Sequence, residues 1–416
     1  MNYCGHNPSE IAVSPYQKVL YGLFSSFQNG AINPYTALKI SGKFDKERFQ
    51  KALNNVVSGN DALRSYLKIE DNDLHMYVYE TAECEADWIK VNSEEEVRKD
   101  ISEVLAKDFG ASSNELFCVK VYELSENEYI LFAVTYHVVS DGDSIAILMQ
   151  KLLSAYQNPD FDDSETTHTM AEYNQKELEF YSSPKFMENC QFWKTKLELN
   201  DYIEYPKKEN AEQASEWFVV PVEKIKKCAG IYGCTYNNVI MTAYHMTLCR
   251  MLNKNSSGFF FMYANRTDPS FKNLIAPQFQ ATFSRVEIDD KMPLKQTVRS
   301  IFMQSMECIS HSHGCLLSFD LAKAVMSGVL GCIMTYNKMP DAFELCGLTV
   351  SNFDVMFNSM KDTKLPCNLF MIACSETKNG ILICPLLASN GTVDKNSFIC
   401  DFTEQFQNVI DCLCSE

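Results

Sequence analysis

The sequence predicts an α/β protein in which helices and sheets form layers, divided into two lobes. Stretches with the apolar spacing of helices alternate along the chain with short apolar stretches typical of strands. An acidic, hydroxyl-rich segment over residues 158–170 interrupts this periodicity. We therefore predict one lobe over residues 1–165 and a second over residues 166–416. Because 46% of the 416 residues are hydrophobic and 22% are charged, each lobe has enough apolar side chains for its own core.

In the first lobe, residues 19–27 and 49–57 have the apolar spacing of amphipathic helices. Apolar residues spaced three or four positions apart predict another helix over residues 145–156. Strand patterns occur over residues 35–40, 65–69, 74–79, 118–124 and 129–137. The segment around residue 137 is therefore predicted to be a strand, a turn and the start of a helix.

The second lobe repeats the alternation of helices and strands. A long helix is predicted over residues 238–251, and a closing helix with a nearly continuous apolar face over residues 398–413. Strands are predicted over residues 258–263, 331–336, 368–375 and 381–388. The last two strands are expected to form a hairpin across Lys378-Asn379-Gly380.

The charge of the chain excludes several classes of partner. There are 37 basic and 54 acidic residues, which give a net charge of −17. Such a field repels nucleic acids and anionic lipid surfaces. The longest apolar stretch, residues 129–139, is shorter than the roughly 20 residues that span a bilayer, and the N-terminus lacks the pattern of a secretory signal. We expect a cytoplasmic protein with no nucleic-acid or membrane partner.

The cysteines and paired histidines do not indicate a metal centre. Seventeen cysteines are scattered without a C-x2-C pair, and several lie in apolar stretches. We interpret them as reduced thiols that pack as small hydrophobic residues, rather than as a disulfide framework or a zinc site. His311 and His313 are close together, but no further ligands can be located for them. We therefore predict no metal site.

Several types of catalytic site lack their defining residues. The chain has no G-x-S-x-G elbow, no phosphate-binding G-x-x-x-x-G-K-[ST] loop, no G-x-G-x-x-G turn and no H-E-x-x-H pair. The chemistry of histidine and carboxylate side chains remains as the route to catalysis.

The most informative segment is Tyr136-His137-Val138-Val139-Ser140-Asp141-Gly142-Asp143-Ser144. A histidine at the end of an apolar strand, before Asp and Gly at the turn into a helix, presents an imidazole that can accept a proton. Gly142 would allow a positive φ or a close backbone approach, and the amides that open the helix favour nearby negative charge. On this segment alone, a catalytic histidine and a buried structural histidine both remain open.

Several motifs in order resemble those of the condensation domains of nonribosomal peptide synthetases, which belong to the superfamily of CoA-dependent acyltransferases with chloramphenicol acetyltransferase. The segment from Tyr136 to Gly142 resembles H-H-x-x-x-D-G, with Tyr136 in place of the first histidine. The other matching segments are Ser14-Pro15-Tyr16-Gln17-Lys18-Val19-Leu20-Tyr21-Gly22-Leu23, Asn60-Asp61-Ala62-Leu63-Arg64-Ser65, Phe192-Trp193, Thr235, Asn265-Arg266, Ile275-Ala276-Pro277, Arg285 and Leu345-Cys346-Gly347-Leu348. The resemblance covers nearly the whole chain.

This resemblance implies two chloramphenicol-acetyltransferase-like lobes in a V-shaped pseudo-dimer with a central tunnel. It implies amide formation, in which an amine attacks an acyl thioester, with His137 and Gly142 as the catalytic residues. In the same terms, Asp141 supports the motif by pairing with Arg64, and Tyr136 and Ser144 are candidates for the tunnel wall. The family pattern Gly-x-Phe-Val-Asn-Thr reads Ala276-Pro277-Gln278-Phe279-Gln280-Ala281 here, a departure that bears on substrate preference.

The resemblance implies no permanently bound cofactor. Thioesters on phosphopantetheine arms would arrive on acyl or peptidyl carrier proteins, acting in trans or within a parent synthetase, and a small amine would be the acceptor. We expect a monomer. Two alternatives remain: an acyltransferase that uses acyl-CoA directly, and a degenerate, non-catalytic domain that recruits carriers or other partners.

Overall fold

The structure is a computed structural model that describes residues 2–25, 33–107, 116–161, 163, 168–196, 212–289, 291–318, 332–338, 341–355, 369–389 and 394–415. The chain forms two compact units. Unit 1 consists of Met1–Ser183, Ala264–Phe279 and Pro340–Thr363. Unit 2 consists of Pro184–Tyr263, Gln280–Met339 and Lys364–Glu416.

The strands and helices are numbered in chain order. The strands are β1 (Asn2–Ile11), β2 (Tyr35–Ser41), β3 (Ser65–Glu70), β4 (Asp73–Glu85), β5 (Asp87–Lys90), β6 (Phe117–Ser125), β7 (Glu128–Thr135), β8 (Glu212–Ser215), β9 (Phe218–Pro221), β10 (Ser256–Tyr263), β11 (Gln280–Glu287), β12 (Cys332–Lys338), β13 (Phe343–Leu345), β14 (Leu348–Asn352), β15 (Leu369–Thr377) and β16 (Gly380–Ser389). The helices are α1 (Pro15–Phe24), α2 (Lys46–Gly59), α3 (Glu94–Leu105), α4 (Gly142–Gln157), α5 (Met170–Tyr181), α6 (Pro184–Lys196), α7 (Val222–Tyr232), α8 (Tyr236–Leu252), α9 (Leu294–Ser310), α10 (Cys315–Ser318) and α11 (Lys395–Cys414). Short 3-10 helices cover Asp61–Arg64 and Ser312–Gly314.

Unit 1 is built on two sheets. Strands β1, β4 and β3 form a three-stranded antiparallel sheet, and a six-stranded sheet has the order β13-β14-β2-β7-β6-β5. Strand β7 lies inside the six-stranded sheet, and all its residues from Tyr129 to Thr135 are buried. Burial on both faces explains why this strand is a continuous apolar run rather than an alternating one. Helices α2 and α4 pack against each other, and α2 also packs on β4.

Unit 2 is built on one seven-stranded sheet. Six strands have the order β11-β10-β12-β15-β16-β8, and β9 pairs with the other half of β16. The buried core includes Tyr244 of α8, Phe370 of β15, and Phe402 and Phe406 of α11. The predicted hairpin of β15 and β16 is confirmed. Its Gly380 has a φ of 147°, and a Cβ there would lie 2.1 Å from the Val220 carbonyl oxygen, so no larger residue fits.

The predicted mixture of helix and sheet layers is confirmed, although some elements have different bounds from those predicted and others were not predicted. Strand β7 ends at Thr135 rather than residue 137, because the backbone N–H of Tyr136 bonds to the Leu116 carbonyl and the chain then turns. Helix α1 begins at Pro15, earlier than predicted, since Ser14 and Gln17 form a capping box before its first turn. The end of the predicted segment 19–27 lies outside the described residues.

The compact units do not follow the continuous lobes predicted for residues 1–165 and 166–416. Unit 1 extends to Ser183 and also contains Ala264–Phe279 and Pro340–Thr363. The second of these returning segments contains β14, which pairs with β2 in the six-stranded sheet. A boundary read from composition cannot detect strand pairing between residues 300 positions apart. The division into two related lobes stays a prediction.

One disulfide corrects the expectation that the cysteines are reduced. Cys228 of α7 and Cys414 of α11 are bonded, with their Cα atoms 5.1 Å apart. Folding brings these residues together from 186 positions apart, so their spacing gave no signal. Most of the other cysteines that the structure describes are buried, as expected of residues that pack as small hydrophobic side chains. None of the described helices is long and apolar enough to cross a bilayer.

Candidate active site

His137 lies in the loop between β7 and α4, within unit 1. Its backbone N–H donates to the side-chain Oδ1 of Asn33, at 3.1 Å. The N–H of Val139 donates to the carbonyl of Tyr136, which closes a tight turn around the histidine. The side-chain amide nitrogen of Gln17, Nε2, donates to the carbonyl of Val138, at 3.1 Å. Buried side chains from outside the loop therefore fix the backbone on both sides of the imidazole.

The imidazole of His137 has a defined tautomer. Its Nδ1 lies 3.0 Å from the carbonyl oxygen of Ser140. Because a carbonyl only accepts hydrogen bonds, Nδ1 carries the proton and Nε2 has the free lone pair. Burial lowers the pKa of His137 below its ordinary value of 6.5, against the opposing effects of the Ser140 carbonyl and Asp141. The neutral imidazole, which is able to accept a proton, is thus favoured near pH 7.

Two aromatic rings flank this imidazole. The ring of Phe24 stacks on it, with centroids 4.9 Å apart and planes 17° apart. The ring of Phe279 lies 4.8 Å away at 34°. The edge of Tyr16 in turn packs against Phe279, at 5.7 Å. The histidine is therefore held by its own backbone turn and by apolar side chains from two other parts of unit 1.

Asp141 caps α4 and accepts hydrogen bonds on both of its carboxylate oxygens. Its Oδ1 accepts from the backbone N–H and the hydroxyl of Ser144, both at 2.7 Å, and from Nη2 of Arg266 at 2.6 Å. Its Oδ2 accepts from the backbone N–H groups of Gln278 and Phe279, at 2.9 and 3.1 Å. Only 2% of Asp141 is exposed. The carboxylate thus joins the start of α4 to the segment that carries Phe279.

The ion pair predicted between Asp141 and Arg64 is wrong. Asp141 pairs instead with Arg266, whereas Arg64 pairs with Asp61 at 2.9 Å and donates to the carbonyls of Tyr79 and Glu80. Arg64 and Asp61 lie three residues apart in the short 3-10 helix, a spacing at which their side chains meet. The arginine within Asn265-Arg266 belongs to one of the motifs in the sequence, but its pairing with Asp141 could not be read from that motif.

Ser144 was predicted as a candidate for the tunnel wall, but in the structure it supports the loop. Its side chain is fully buried, and its hydroxyl lies 2.9 Å from the Ala276 carbonyl and accepts from the Ala276 N–H at 3.1 Å. It also accepts from Nη2 of Arg266, at 2.8 Å. These partners, together with Asp141, use the hydrogen-bonding capacity of the hydroxyl.

Gly142 and Tyr136 complete the predicted set. Gly142 is the first residue of α4, and it is not among the described glycines with positive φ, so a left-handed turn does not explain it. Tyr136 is buried, with 5% of its surface exposed, as expected of a residue that packs below the loop. Catalytic help from Gly142 and substrate contact by Tyr136 stay predictions.

Two supporting residues were not predicted from the sequence. Asn33 is 3% exposed, and Gln17 is 1% exposed. Gln17 belongs to the first motif and has the capping-box spacing to Ser14, a signal that marks the start of a helix but not a bond to the loop that carries His137. Among the residues that the structure describes, no group of three or more His, Cys, Asp or Glu side chains is placed to hold a metal ion.

Comparison with known proteins finds relatives by sequence and by structure. Surfactin synthase subunit 1 of Bacillus subtilis (strain 168) is 29% identical over 124 residues, which cover 30% of this chain. The aligned part is 3% of that relative, so the chain spans only a small fraction of its length.

Two solved structures share the fold. The condensation domain from Monacolin K polyketide synthase MokA matches with a TM-score of 0.83 and 13% identity, over 98% of this chain and 97% of the other. A mutant of the starter condensation domain of rhizomide synthetase RzmA in complex with C8-CoA matches with a TM-score of 0.79 and 12% identity, over 98% and 95%. The family model described as Condensation domain matches residues 7–313, and the chain therefore belongs to the condensation-domain family.

Proposed function

We propose that this protein forms an amide bond between a carrier-bound acyl thioester and an amine, with His137 as the catalytic residue. The observation that carries the proposal is the bond from Nδ1 of His137 to the Ser140 carbonyl, which leaves Nε2 unprotonated. A fixed imidazole with a free Nε2 suits a reaction whose nucleophile must lose a proton.

The reaction exchanges one bond to the acyl carbon for another. The amine nitrogen attacks the thioester carbonyl carbon, and the carbon–sulfur bond then breaks to release the carrier thiolate. His137 Nε2 accepts a hydrogen bond from the attacking amine. This bond orients the lone pair of the amine toward the carbonyl carbon, and Nε2 then receives the proton that the amine loses. That proton finally reaches the thiolate, so the products are an amide and a free thiol. Much of the acceleration comes from holding the two substrates together.

In this proposal Asp141 does not contact the reacting atoms. Its carboxylate is buried and its oxygens accept hydrogen bonds from Ser144, Arg266 and the backbone of residues 278–279. We therefore assign it the role of fixing the loop that presents His137. Amides at the start of α4, including that of Gly142, are oriented to favour negative charge nearby, but their contact with a substrate oxyanion is part of the proposal.

The proposed substrates follow from the family. A multidomain relative such as surfactin synthase subunit 1 is far longer than this chain, so the thioester is proposed to come from a carrier protein acting in trans or within a parent synthetase. The carrier would deliver the acyl group on a phosphopantetheine arm, and a small amine would accept it. The protein is proposed to need no bound cofactor of its own and to act as a monomer.

The first prediction concerns His137→Ala. The variant should lose at least about 100-fold in kcat, since a positioned general base contributes roughly 10²- to 10⁴-fold. The assay follows amide product from an acyl thioester loaded on a carrier protein, with a panel of small amines as acceptors. His75→Ala is the matched control, because His75 pairs with Glu10 on the three-stranded sheet. Equal activity in the wild type and His137→Ala would refute the catalytic assignment.

A second candidate function is transfer directly from acyl-CoA. The structural similarity to the rhizomide starter domain in complex with C8-CoA is the observation that favours it. The same assay separates the candidates, since product from acyl-CoA without any carrier supports the second. Carrier binding with no product from either thioester would support a non-catalytic recruiting domain.

A further inference from the structure

The aromatic side chains around His137 carry an inference about how the site is held. Phe279 occupies part of the stretch 276–281, where this chain departs from the family pattern. Its ring contacts the imidazole at a centroid distance of 4.8 Å, and only 9% of the residue is exposed. The ring of Phe24, the last residue of α1, makes a second contact at 4.9 Å.

The position of Phe279 depends directly on Asp141. The backbone N–H of Phe279 donates to Oδ2 of Asp141, at 3.1 Å, and the N–H of Gln278 donates to the same oxygen at 2.9 Å. The other oxygen of this carboxylate is bound by Ser144 and Arg266. A continuous series of contacts therefore runs from Arg266 through Asp141 and the backbone of Phe279 to the ring on His137.

We propose that Phe279 and Phe24 are positioning residues that hold the His137 imidazole in its reactive orientation, and that Asp141 acts on catalysis through Phe279. The rings restrict rotation of the imidazole about its side-chain bonds, so that Nδ1 stays on the Ser140 carbonyl and Nε2 stays available. They also keep water from the faces of the imidazole, which disfavours its protonated form.

The charges around the imidazole are consistent with this role. The charged group on its own loop that acts on it is Asp141, which favours the protonated form and is itself paired with Arg266. The other elements packed against it contribute Phe24 from α1 and Phe279 from the returning segment, and neither side chain titrates. Both rings are among the groups that bury the imidazole, and burial is what lowers the pKa of His137.

The test is an NMR titration of the histidine rings in the full chain, with His137→Gln used to identify the resonance. In Phe279→Ala, the pKa of His137 should rise toward its ordinary value of 6.5, and Phe24→Ala should act in the same direction. Phe279→Leu keeps apolar volume, so it should give a smaller rise in the pKa of His137. It can be measured even if the alanine variant is too unstable to study. Phe44→Leu is the control, since Phe44 is a buried phenylalanine of unit 1 that packs against Phe49, Trp88, Tyr129 and Tyr156. An unchanged His137 pKa in both Phe279 variants would overturn the proposal.

A kinetic cycle tests the link to Asp141. Phe279→Ala should lower kcat about tenfold or more, because small misplacements of a catalytic group are costly, and the acid limb of the pH–rate profile should move up with the pKa. If Asp141 acts through Phe279, the loss in the double variant Asp141→Asn, Phe279→Ala should be smaller than the product of the single losses. Multiplicative losses would refute that link. The kinetic arm rests on the proposed function, whereas the titration needs no substrate, so a failure of one is distinguishable from a failure of the other.

Discussion

The carboxylate of Asp141 accepts five hydrogen bonds from four residues: Ser144, Arg266, Gln278 and Phe279. An ordinary N-cap needs only one of these, the backbone N–H three residues ahead. The additional bonds come from a segment that is distant in sequence, and they turn a local cap into a joint between two parts of unit 1. Loss of the carboxylate would leave a buried guanidinium and several N–H groups without their acceptor.

Asp141→Ala is therefore expected to lower both stability and activity. Breaking a buried pair by removing one partner costs about 3–5 kcal/mol, so the urea midpoint should fall clearly. Arg266→Ala should behave similarly. Arg64→Ala should lower stability but leave kcat close to that of the wild type, because Arg64 pairs with Asp61 and not with Asp141. A wild-type urea midpoint for Asp141→Ala, or a kcat loss in Arg64→Ala equal to that in Arg266→Ala, would contradict this division of roles.

At the residue scale, the sequence predicted the strand, turn and helix around His137, but neither the capping role of Asp141 nor its partner. A histidine at the end of an apolar strand and an aspartate before a helix are local patterns. The partner, Arg266, lies 125 positions away and reaches Asp141 only because the returning segment folds into unit 1. Such a pairing depends on tertiary structure, which a single sequence does not display.

Helix α8 of unit 2 shows how one buried polar residue can join three elements. His245 of α8 has no exposed surface, and its two ring nitrogens bond to the hydroxyls of Ser257 and Ser284, each at 2.9 Å. These serines lie on β10 and β11. Burial lowers the pKa of His245 to about 3, so the folded protein keeps this imidazole neutral.

This burial predicts a loss of stability in mild acid. The unfolded chain binds a proton on His245 below its ordinary pKa of 6.5, whereas the folded chain does not until about pH 3. Stability is therefore fully present above pH 6.5 and falls as the pH decreases toward 3, by about 2–3 kcal/mol at a pH near 4.5. Urea titrations near pH 7.5 and 4.5 measure the loss, and it should be smaller in His245→Gln by about that amount. Equal losses in the two proteins would show that His245 does not titrate in this way.

At the element scale, long periodic segments were predictable, and short strands with distant partners were not. Helices α8 and α11 and the hairpin of β15 and β16 follow the predicted segments closely. The strand β14 has five residues, and its place beside β2 depends on a partner more than 300 positions away. Helix α9 was not predicted, although Val298, Ile301, Ser305 and Cys308 lie on its buried face. Polar and small residues on that face weaken its apolar pattern.

The net charge of −17 would affect how the molecule meets the proposed carrier protein. If the carrier is also acidic, long-range repulsion opposes its approach. Added salt screens such repulsion, with a Debye length of about 10 Å at 0.1 M. Docking would then depend on apolar contacts or on local basic groups.

Carrier binding is therefore expected to be unchanged or tighter when salt is raised. Calorimetry at about 0.05 M and about 0.5 M NaCl, with a carrier loaded with a non-hydrolysable acyl analogue, measures this dependence. Potassium glutamate at equal concentration is the control, because it screens charge to the same extent with a different anion. A steep loss of affinity with salt would instead show that a basic patch dominates docking.

At the scale of the whole molecule, composition could not predict that each compact unit is built from separate stretches of the chain. The acidic segment near residues 158–170 lies within unit 1 rather than at its edge. Solvent-exposed polar segments occur in any loop, so composition alone cannot distinguish a loop inside a unit from a boundary between units.

The returning segments have a consequence for the order in which the chain can fold during its synthesis. Domains generally fold as they emerge from the ribosome, N-terminal part first. Here the loop around His137 emerges 125 residues before Arg266, and β2 emerges about 300 residues before β14. Until the later segments have been synthesised, Asp141 is therefore solvated, in a partly formed unit, without the guanidinium of Arg266. The loop that carries His137 is translated early, yet its bonds to Arg266 and Phe279 form only after about two thirds of the chain has been made.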